Sequence, residues 1–141
     1  MPRYALKIEY DGTPFRGWQK QPTLPSVQEC IENALLKLEP ENAGIAAAGR
    51  TDAGVHALRQ CAHARVPREM TPDRLRGALN GNLPYDIVVR EIRAVPHEFH
   101  ARFSAVGKRY CYRWVTGRTR PVFARDRANW ERRRLDVAAM R

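Results

Sequence analysis

The sequence predicts an α+β fold, a two-layer sandwich in which helices cover one face of a mainly antiparallel sheet. Several segments alternate apolar and polar residues as strands do, and two others have apolar residues at helical spacing after a capping signal. At 141 residues the chain has the length of one domain, and it can bury about two thirds of its unfolded surface. The predicted order of elements is β-α-β-β-α-β-β-α.

The first strand and the first helix have clear signals. Residues 3–10 alternate between apolar and polar side chains, which is typical of a half-buried strand. Ser26 and Glu29 form a capping box, and the helix that follows ends before Pro40.

Three further elements are predicted in the middle of the chain. The apolar segments 44–48 and 58–66 are predicted strands that pair across the glycine-containing loop 49–56. Thr71 begins a second helix, because it is a capping residue followed by proline at the first helical position. This helix is predicted to run to about residue 79.

The last third of the chain contains weaker signals. Strands are predicted over 87–95 and 106–115, and Tyr112 and Trp114 are assigned to the core face of the second one. A helix begins at 135–140 and is interrupted by the end of the chain. We therefore expect this sequence to be part of a longer protein.

The net charge of +10 is concentrated near one end of the sequence. Residues 1–99 have a net charge of +1, whereas residues 100–141 have a net charge of +9. Such a block attracts polyanions through counterion release, and arginine binds phosphate in a bidentate manner. The distribution favours a nucleic-acid-binding face over a merely solubilising surface.

Other classes of protein are disfavoured by the composition. No apolar run approaches the roughly 20 residues that a membrane-spanning helix needs. The charges within residues 1–10 indicate a strand and not a signal peptide, so we expect a cytoplasmic protein. Cys30, Cys61 and Cys111 are odd in number and widely spaced, which predicts small buried side chains and neither a disulfide framework nor a metal site.

The densest group of reactive side chains lies in loop 49–56. Arg50, Thr51 and Asp52 place a guanidinium, a hydroxyl and a carboxylate within three residues. The bracketing glycines are similar to those of a P-loop, but the required lysine is missing. A carboxylate on a rigid loop can be a nucleophile or a base, whereas spacing alone favours a turn-capping role. Thr51 and His56 are interpreted as structural residues.

Aromatic and basic residues are interleaved over 99–103 and 108–114. This composition suits single-stranded or flipped bases, because aromatic rings stack on bases and cations bind phosphates. Arg102 and Arg109 are the candidate phosphate ligands, and Tyr110 is open to either a stacking or a core role.

Seven short segments match the pattern of one enzyme family in the same order. They are residues 8–12, 17–19, 26–28, 49–56, 82–84, 99–105 and 109–112. Together they resemble the N-terminal half of the TruA-type tRNA pseudouridine synthases, and the similarity extends from residue 4 to about residue 121. The segment Gly-Arg-Thr-Asp-Ala-Gly-Val-His at 49–56 is highly specific for that family.

The resemblance implies a pseudouridine synthase half-domain with RRM-like topology. Residues 1–141 are then a single α+β domain, the N-terminal half of a synthase, with a basic segment over 100–141 and a truncated C-terminus. Family members are roughly twice this length. They act as homodimers with tRNA across both subunits, and their second half completes the active-site cleft.

The resemblance also implies the reaction and the residues that perform it. Uridines at positions 38 to 40 of the tRNA anticodon stem-loop are isomerised to pseudouridine without a cofactor or metal. Asp52 is the catalytic nucleophile, Arg50 pairs with it and takes part in base flipping, and Tyr110 stacks on the target uracil. The residues implied to contact RNA are Phe99, His100, Ala101, Arg102, Phe103 and Arg118. Whether Asp52 attacks C6, attacks C1′ or removes the 2′ proton stays open.

A non-catalytic RNA-binding module is the alternative function. The basic segment and the interleaved aromatic residues serve both functions equally well. Asp52 favours the enzyme, whereas the missing second half of the active site favours the binding module.

Overall fold

The computed structural model describes residues 1–41 and 44–141, which form two compact units, Met1–Val106 and Gly107–Arg141. The first unit contains β1 (Arg3–Tyr10), α1 (Val27–Leu38), β2 (Ile45–Ala47), β3 (Ala57–Arg65), α2 (Pro72–Asn80) and β4 (Ile87–Val95). This β-α-β-β-α-β order is a split βαβ arrangement, and it confirms the predicted α+β class. The prediction of a single domain over residues 1–141 stays a prediction.

The four strands of the first unit form one antiparallel sheet in the order β2-β3-β1-β4. β1 is central, and its side chains alternate between the two faces of the sheet. Tyr4, Leu6 and Ile8 are buried in one core together with apolar residues of both helices. Lys7 and Glu9 lie on the opposite face, which we call the open face. The predicted two-layer arrangement is therefore confirmed.

Capping side chains begin both helices where the sequence predicts them. The Ser26 hydroxyl accepts a hydrogen bond from the Glu29 amide at 3.2 Å, and Thr71 caps α2 in the same way. At the end of α2, the Asn80 side chain donates to the Val89 carbonyl at 3.0 Å and accepts from the Val89 amide at 2.8 Å. These two bonds attach the helix end to β4. In the described ranges, no helix is long and apolar enough to cross a membrane.

The second unit departs from the sequence predictions. Residues 106–113 have no regular structure, and strand β5 (Trp114–Thr116) begins only after them. β5 pairs in parallel with β6 (Asn129–Glu131). The predicted strand over 106–115 is wrong except at its end, because no strand within this described unit hydrogen-bonds to it. The predicted helix at 135–140 is also wrong, since turns occupy its last four residues.

The core positions predicted for two aromatic residues are wrong for the same reason. Tyr112 is 83% exposed and Trp114 is 45% exposed. Alternating aromatic residues become a core face only when another layer of structure covers them, and the described second unit contains no such layer over them. Cys111 is exposed as well, contrary to the prediction of a buried thiol, whereas Cys30 and Cys61 are half-buried.

Loop 49–56, which connects β2 to β3, lies directly against the loop that follows β1. A Cβ atom at Gly12 would come within 2.0 Å of the Val55 carbonyl oxygen, and one at Gly17 within 2.7 Å of the Thr51 carbonyl oxygen. Gly17 also has a φ of +92°, a conformation that L-residues with a side chain rarely adopt. The two glycines therefore allow a backbone-to-backbone contact that sets the position of the loop.

A buried tyrosine hydroxyl connects β1 to the segment before α2. The Tyr4 hydroxyl donates to the Met70 carbonyl at 2.7 Å and accepts from the Met70 amide at 3.1 Å. This hydroxyl therefore satisfies both the amide and the carbonyl of Met70. Removing the hydroxyl would leave these two backbone groups without their hydrogen bonds.

Replacing Gly17 with alanine should lower the free energy of unfolding by about 1–3 kcal/mol, because the added methyl group meets the Thr51 carbonyl and is strained at positive φ. Gly77→Ala is the control, since Gly77 lies in α2 with open space at its Cβ position. That variant should gain roughly 0.5–1 kcal/mol of stability. Urea unfolding measures both, and unchanged stability of Gly17→Ala would contradict the close contact.

Tyr4→Phe should lower the free energy of unfolding by about 1–3 kcal/mol, because it leaves the Met70 backbone groups unsatisfied without removing the ring. Tyr85→Phe is the matched control, since the Tyr85 side chain is fully exposed. Thermal and urea unfolding of the two variants provide the comparison. Equal loss in both would show that the buried hydrogen bonds of Tyr4 contribute nothing specific.

Candidate active site

Thr51 is fixed at the base of loop 49–56 by two neighbours. Its hydroxyl lies 2.7 Å from the Tyr10 hydroxyl, and its carbonyl accepts from the Trp18 amide at 3.0 Å. Burial raises the pKa of Tyr10, so the phenol remains protonated and available for this bond at neutral pH. The Thr51 hydroxyl is therefore part of the packing of the loop.

The two ends of the loop are held by further hydrogen bonds. The Gly12 amide donates to Nδ1 of His56 at 2.9 Å, and Asp11 Oδ1 lies 3.1 Å from the same nitrogen. Gln60 of β3 donates to the Gly49 carbonyl at 2.7 Å. These contacts join the loop to both neighbouring segments of the chain, and they give His56 a structural role.

Asp52 lies in the exposed part of this anchored loop. The turn closes through the main chain, because the Asp52 carbonyl accepts from the Val55 amide at 3.1 Å. Gly54 supplies the positive φ of +78° that the turn requires. Within the described residues, the Asp52 carboxylate makes no hydrogen bond and no ion pair. The side chain therefore does not cap the turn, and its carboxylate is available to a ligand.

Arg50 is exposed on the same loop, two residues before the carboxylate. No ion pair between Arg50 and Asp52 is present in the part of the chain that the structure describes, although the resemblance implies one. The loop nevertheless places a guanidinium and a carboxylate on one rigid support. A guanidinium can bind a phosphate, and a carboxylate can act as a nucleophile.

The loop formed by residues 99–103 is the second predicted group in the first unit. Nδ1 of His63 on β3 accepts from the Ala101 amide at 3.1 Å, and the Arg3 guanidinium donates to the Phe99 carbonyl. Burial lowers the pKa of His63, so its ring stays neutral and can accept this bond. Ala101 is 2% exposed, so it anchors the loop and its side chain is out of reach of a ligand.

The exposed side of this loop presents a cation next to aromatic rings. The rings of His100 and Phe103 lie 4.4 Å apart, and the Arg102 guanidinium lies 5.9 Å from the Phe103 ring centroid. Nδ1 of His100 accepts from the Arg102 amide at 3.2 Å. Phe103 and Arg102 are thus held in a geometry that suits stacking on a base and contact with a phosphate.

The two loops are anchored at opposite ends of the central strand. Loop 99–103 is attached at Arg3, the first residue of β1, and loop 49–56 is attached at Tyr10, the last one. Seven residue steps along a strand separate these anchors by about 23 Å. A ligand that contacts both loops is therefore much longer than a nucleotide.

The second unit contains the remaining predicted site residues, Tyr110 and Arg118, and both side chains are exposed. It also contains a cavity of about 310 Å³ that the sequence analysis missed. The residues around the cavity are Arg120, Pro121, Arg125, Ala128, Asn129 and Trp130. The sequence signal that could have indicated this cavity is Trp130, a tryptophan within an arginine-rich stretch. Across the described ranges, no group of three or more His, Cys, Asp or Glu residues is placed to hold a metal.

Comparison with known proteins agrees with this arrangement. The sequence model of the family described as tRNA pseudouridine synthase matches residues 7–104. tRNA pseudouridine synthase A of Cereibacter sphaeroides (strain ATCC 17025) is 54% identical over 142 residues, which is all of this chain and 55% of that protein. The proteins of the same name from Jannaschia sp. (strain CCS1) and Beijerinckia indica are 52% and 50% identical, each over 99% of this chain and 54% of the relative.

The chain spans about half the length of the curated relatives that it matches. The match of the family model covers more than half of the chain and includes both anchored loops of the first unit. The chain therefore belongs to the tRNA pseudouridine synthase family.

Proposed function

We propose that this chain provides the reactive carboxylate of a tRNA pseudouridine synthase, and that Asp52 is the catalytic residue. The observation that supports this most directly is an exposed carboxylate without a protein partner, on a loop held by backbone contacts and hydrogen bonds. A group that acts on a substrate must be accessible and held in position, and the anchored loop exposes the Asp52 carboxylate in this way.

The reaction is an isomerisation and needs no co-reactant. The bond between N1 of uracil and C1′ of the ribose breaks, the base turns, and a bond forms between C5 and C1′. C5 loses a proton and N1 gains one, so atoms and electrons balance without a redox cofactor or a metal. Asp52 takes part in breaking the N1–C1′ bond.

The target base must leave its stack before Asp52 can reach it, because the reacting atoms of a stacked nucleotide are shielded. Arg50 on the same loop is the cation proposed to assist flipping, and the exposed Tyr110 is proposed to stack on the extruded uracil. The exposed side of the loop formed by residues 99–103, together with Arg118, supplies further RNA contacts.

A tRNA is the substrate that fits the dimensions and the charge. The anchors of the two loops lie about 23 Å apart, which is the length of several nucleotides. Residues 100–141 have a net charge of +9, which favours binding of a polyanion. From the family resemblance we propose uridines 38 to 40 of the anticodon stem-loop as the target, a homodimer as the active form and the cytoplasm as its location.

RNA binding without turnover is the second candidate function. It is favoured by one observation, that the chain spans 55% of the length of a relative to which it is 54% identical. If the rest of such a protein supplies part of the active site, this chain alone binds tRNA and leaves it unchanged.

Asp52→Asn should abolish pseudouridine formation and leave tRNA affinity within about twofold of the parent, because it removes the reactive carboxylate without changing the loop backbone. Asp73→Asn is the matched control, since Asp73 is an exposed aspartate in the first turn of α2. Each protein is incubated with an unmodified tRNA transcript, and pseudouridine is mapped by carbodiimide treatment and primer extension. Filter binding gives the affinity.

Three outcomes separate the candidates. New primer-extension stops with the parent chain and Asp73→Asn, but not with Asp52→Asn, support the proposed enzyme. Equal stops with Asp52→Asn would eliminate Asp52 as the catalytic residue. Salt-sensitive tRNA binding without any stops supports the binding module.

A further inference from the structure

Four basic side chains gather at one end of the open face of the sheet. Arg3 and Arg65 lie directly opposite each other on β1 and β3. His63 is two residues before Arg65 on the same strand face, and the His100 ring lies 4.5 Å from the His63 ring. In the ranges 1–41 and 44–141, none of these four residues forms an ion pair.

Three other cations of the open face, Lys7, Arg90 and Arg93, have acidic partners. Lys7 lies 2.7 Å from Glu91, which also contacts Arg93. Arg90 lies 3.5 Å from Glu9. One end of this face is therefore largely neutralised by carboxylates, whereas the end around Arg3 is not.

The unpaired cluster has a cost in stability. Like charges directly opposite each other on adjacent strands repel, and a buried guanidinium without an acidic partner is unfavourable. Arg3 is 7% exposed, it donates to the Phe99 carbonyl, and its Nε has no hydrogen-bond partner in the described structure. After burial, the charges of His100, Arg3 and Arg65 lower the pKa of His63 further. A bound anion would offset this repulsion.

We propose that Arg3, Arg65, His63 and His100 form a phosphate-binding site that takes one backbone phosphate of the RNA. This proposal rests on the proposed function, since it assigns a new contact to the same RNA substrate. Arg65 is the exposed member and makes the contact, whereas the buried Arg3 adds charge behind it and holds loop 99–103.

The location fits a phosphate of an extended RNA strand. The site adjoins loop 99–103, whose exposed Arg102 and Phe103 face solvent, so neighbouring nucleotides can occupy both positions. The cluster also lies about 23 Å along β1 from the anchor of the Asp52 loop. A contact at that distance can bind and orient the tRNA without touching the reacting base.

The test compares tRNA affinity over a range of salt concentrations for the parent chain, Arg65→Ala and Arg90→Ala. Arg90→Ala is the matched control, because it removes one exposed charge that has a partner at the other end of the same sheet. Arg65→Ala should weaken binding about tenfold at 50 mM salt and reduce the slope of log affinity against log salt by about one. Arg90→Ala should change the affinity and the slope by no more than about a third of the changes that Arg65→Ala causes.

Stability provides an independent readout. Arg65→Ala should unfold at a urea concentration equal to or higher than that of the parent, because the substitution relieves repulsion with Arg3. Arg65→Lys should restore most of the salt slope. Weaker binding together with lower stability and an unchanged slope would assign Arg65 a structural role and overturn the proposal.

The remaining outcomes are also decisive. Equal slopes for Arg65→Ala and Arg90→Ala would overturn the site while leaving the proposed function intact. A reduced slope for Arg65→Ala in a chain that forms no pseudouridine would support the site and contradict the proposed catalysis. If inorganic phosphate shifts the imidazole resonances of His63 and His100 while the tRNA slope of Arg65→Ala equals that of the parent, the site binds free phosphate, and the assignment to RNA is wrong.

Discussion

The backbone contact made through Gly12 and Gly17 is the constraint on which the candidate active site depends. Loop 49–56 has few apolar side chains of its own, so packing into the core cannot hold it. Its position is set instead by close contacts between its own carbonyl groups and the backbone at Gly12 and Gly17, where a residue with a Cβ atom would not fit. The hydrogen bonds of Thr51 and His56 add to this contact, while the Asp52 carboxylate has no partner among the described residues.

The central strand β1 connects this loop to the core and to the other loop of the first unit. β1 contributes Tyr4, Leu6 and Ile8 to the core, and its two ends anchor the two loops that are proposed to contact RNA. Because a strand with partners on both sides is among the stiffest elements of a fold, the spacing between the loops is fixed before any ligand binds. Preorganisation of this kind lowers the entropy that a long ligand loses on binding.

Local signals explain which parts of the fold could be predicted from sequence. The alternation over 3–10 and the caps at Ser26 and Thr71 depend on neighbours within a few residues, and the structure confirms the elements that they predict. A strand over 106–115 would need a pairing partner far along the chain, so the alternation alone was insufficient. Composition marked Arg102 and Phe103 as ligand-facing, but only the register of β3 revealed the anchoring of Ala101 by His63.

In the described part of the first unit, the polar side chains with a structural role are hydrogen-bonded to other segments, whereas the charged side chains with a proposed function have no ionic partner. The side chains of Thr51, His56 and Asn80 make hydrogen bonds that hold one segment against another. Asp52 and the Arg3–Arg65 pair make no ion pairs in the described chain, whereas Lys7 and Arg90 at the other end of the sheet are paired with carboxylates. The repulsion between the buried Arg3 and the neighbouring Arg65 lowers stability, and a bound phosphate offsets it, whereas the exposed Asp52 carboxylate is solvated and accessible to a substrate. The same reasoning therefore supports Asp52 as the reactive group and the open face around Arg65 as a place where the RNA backbone lies.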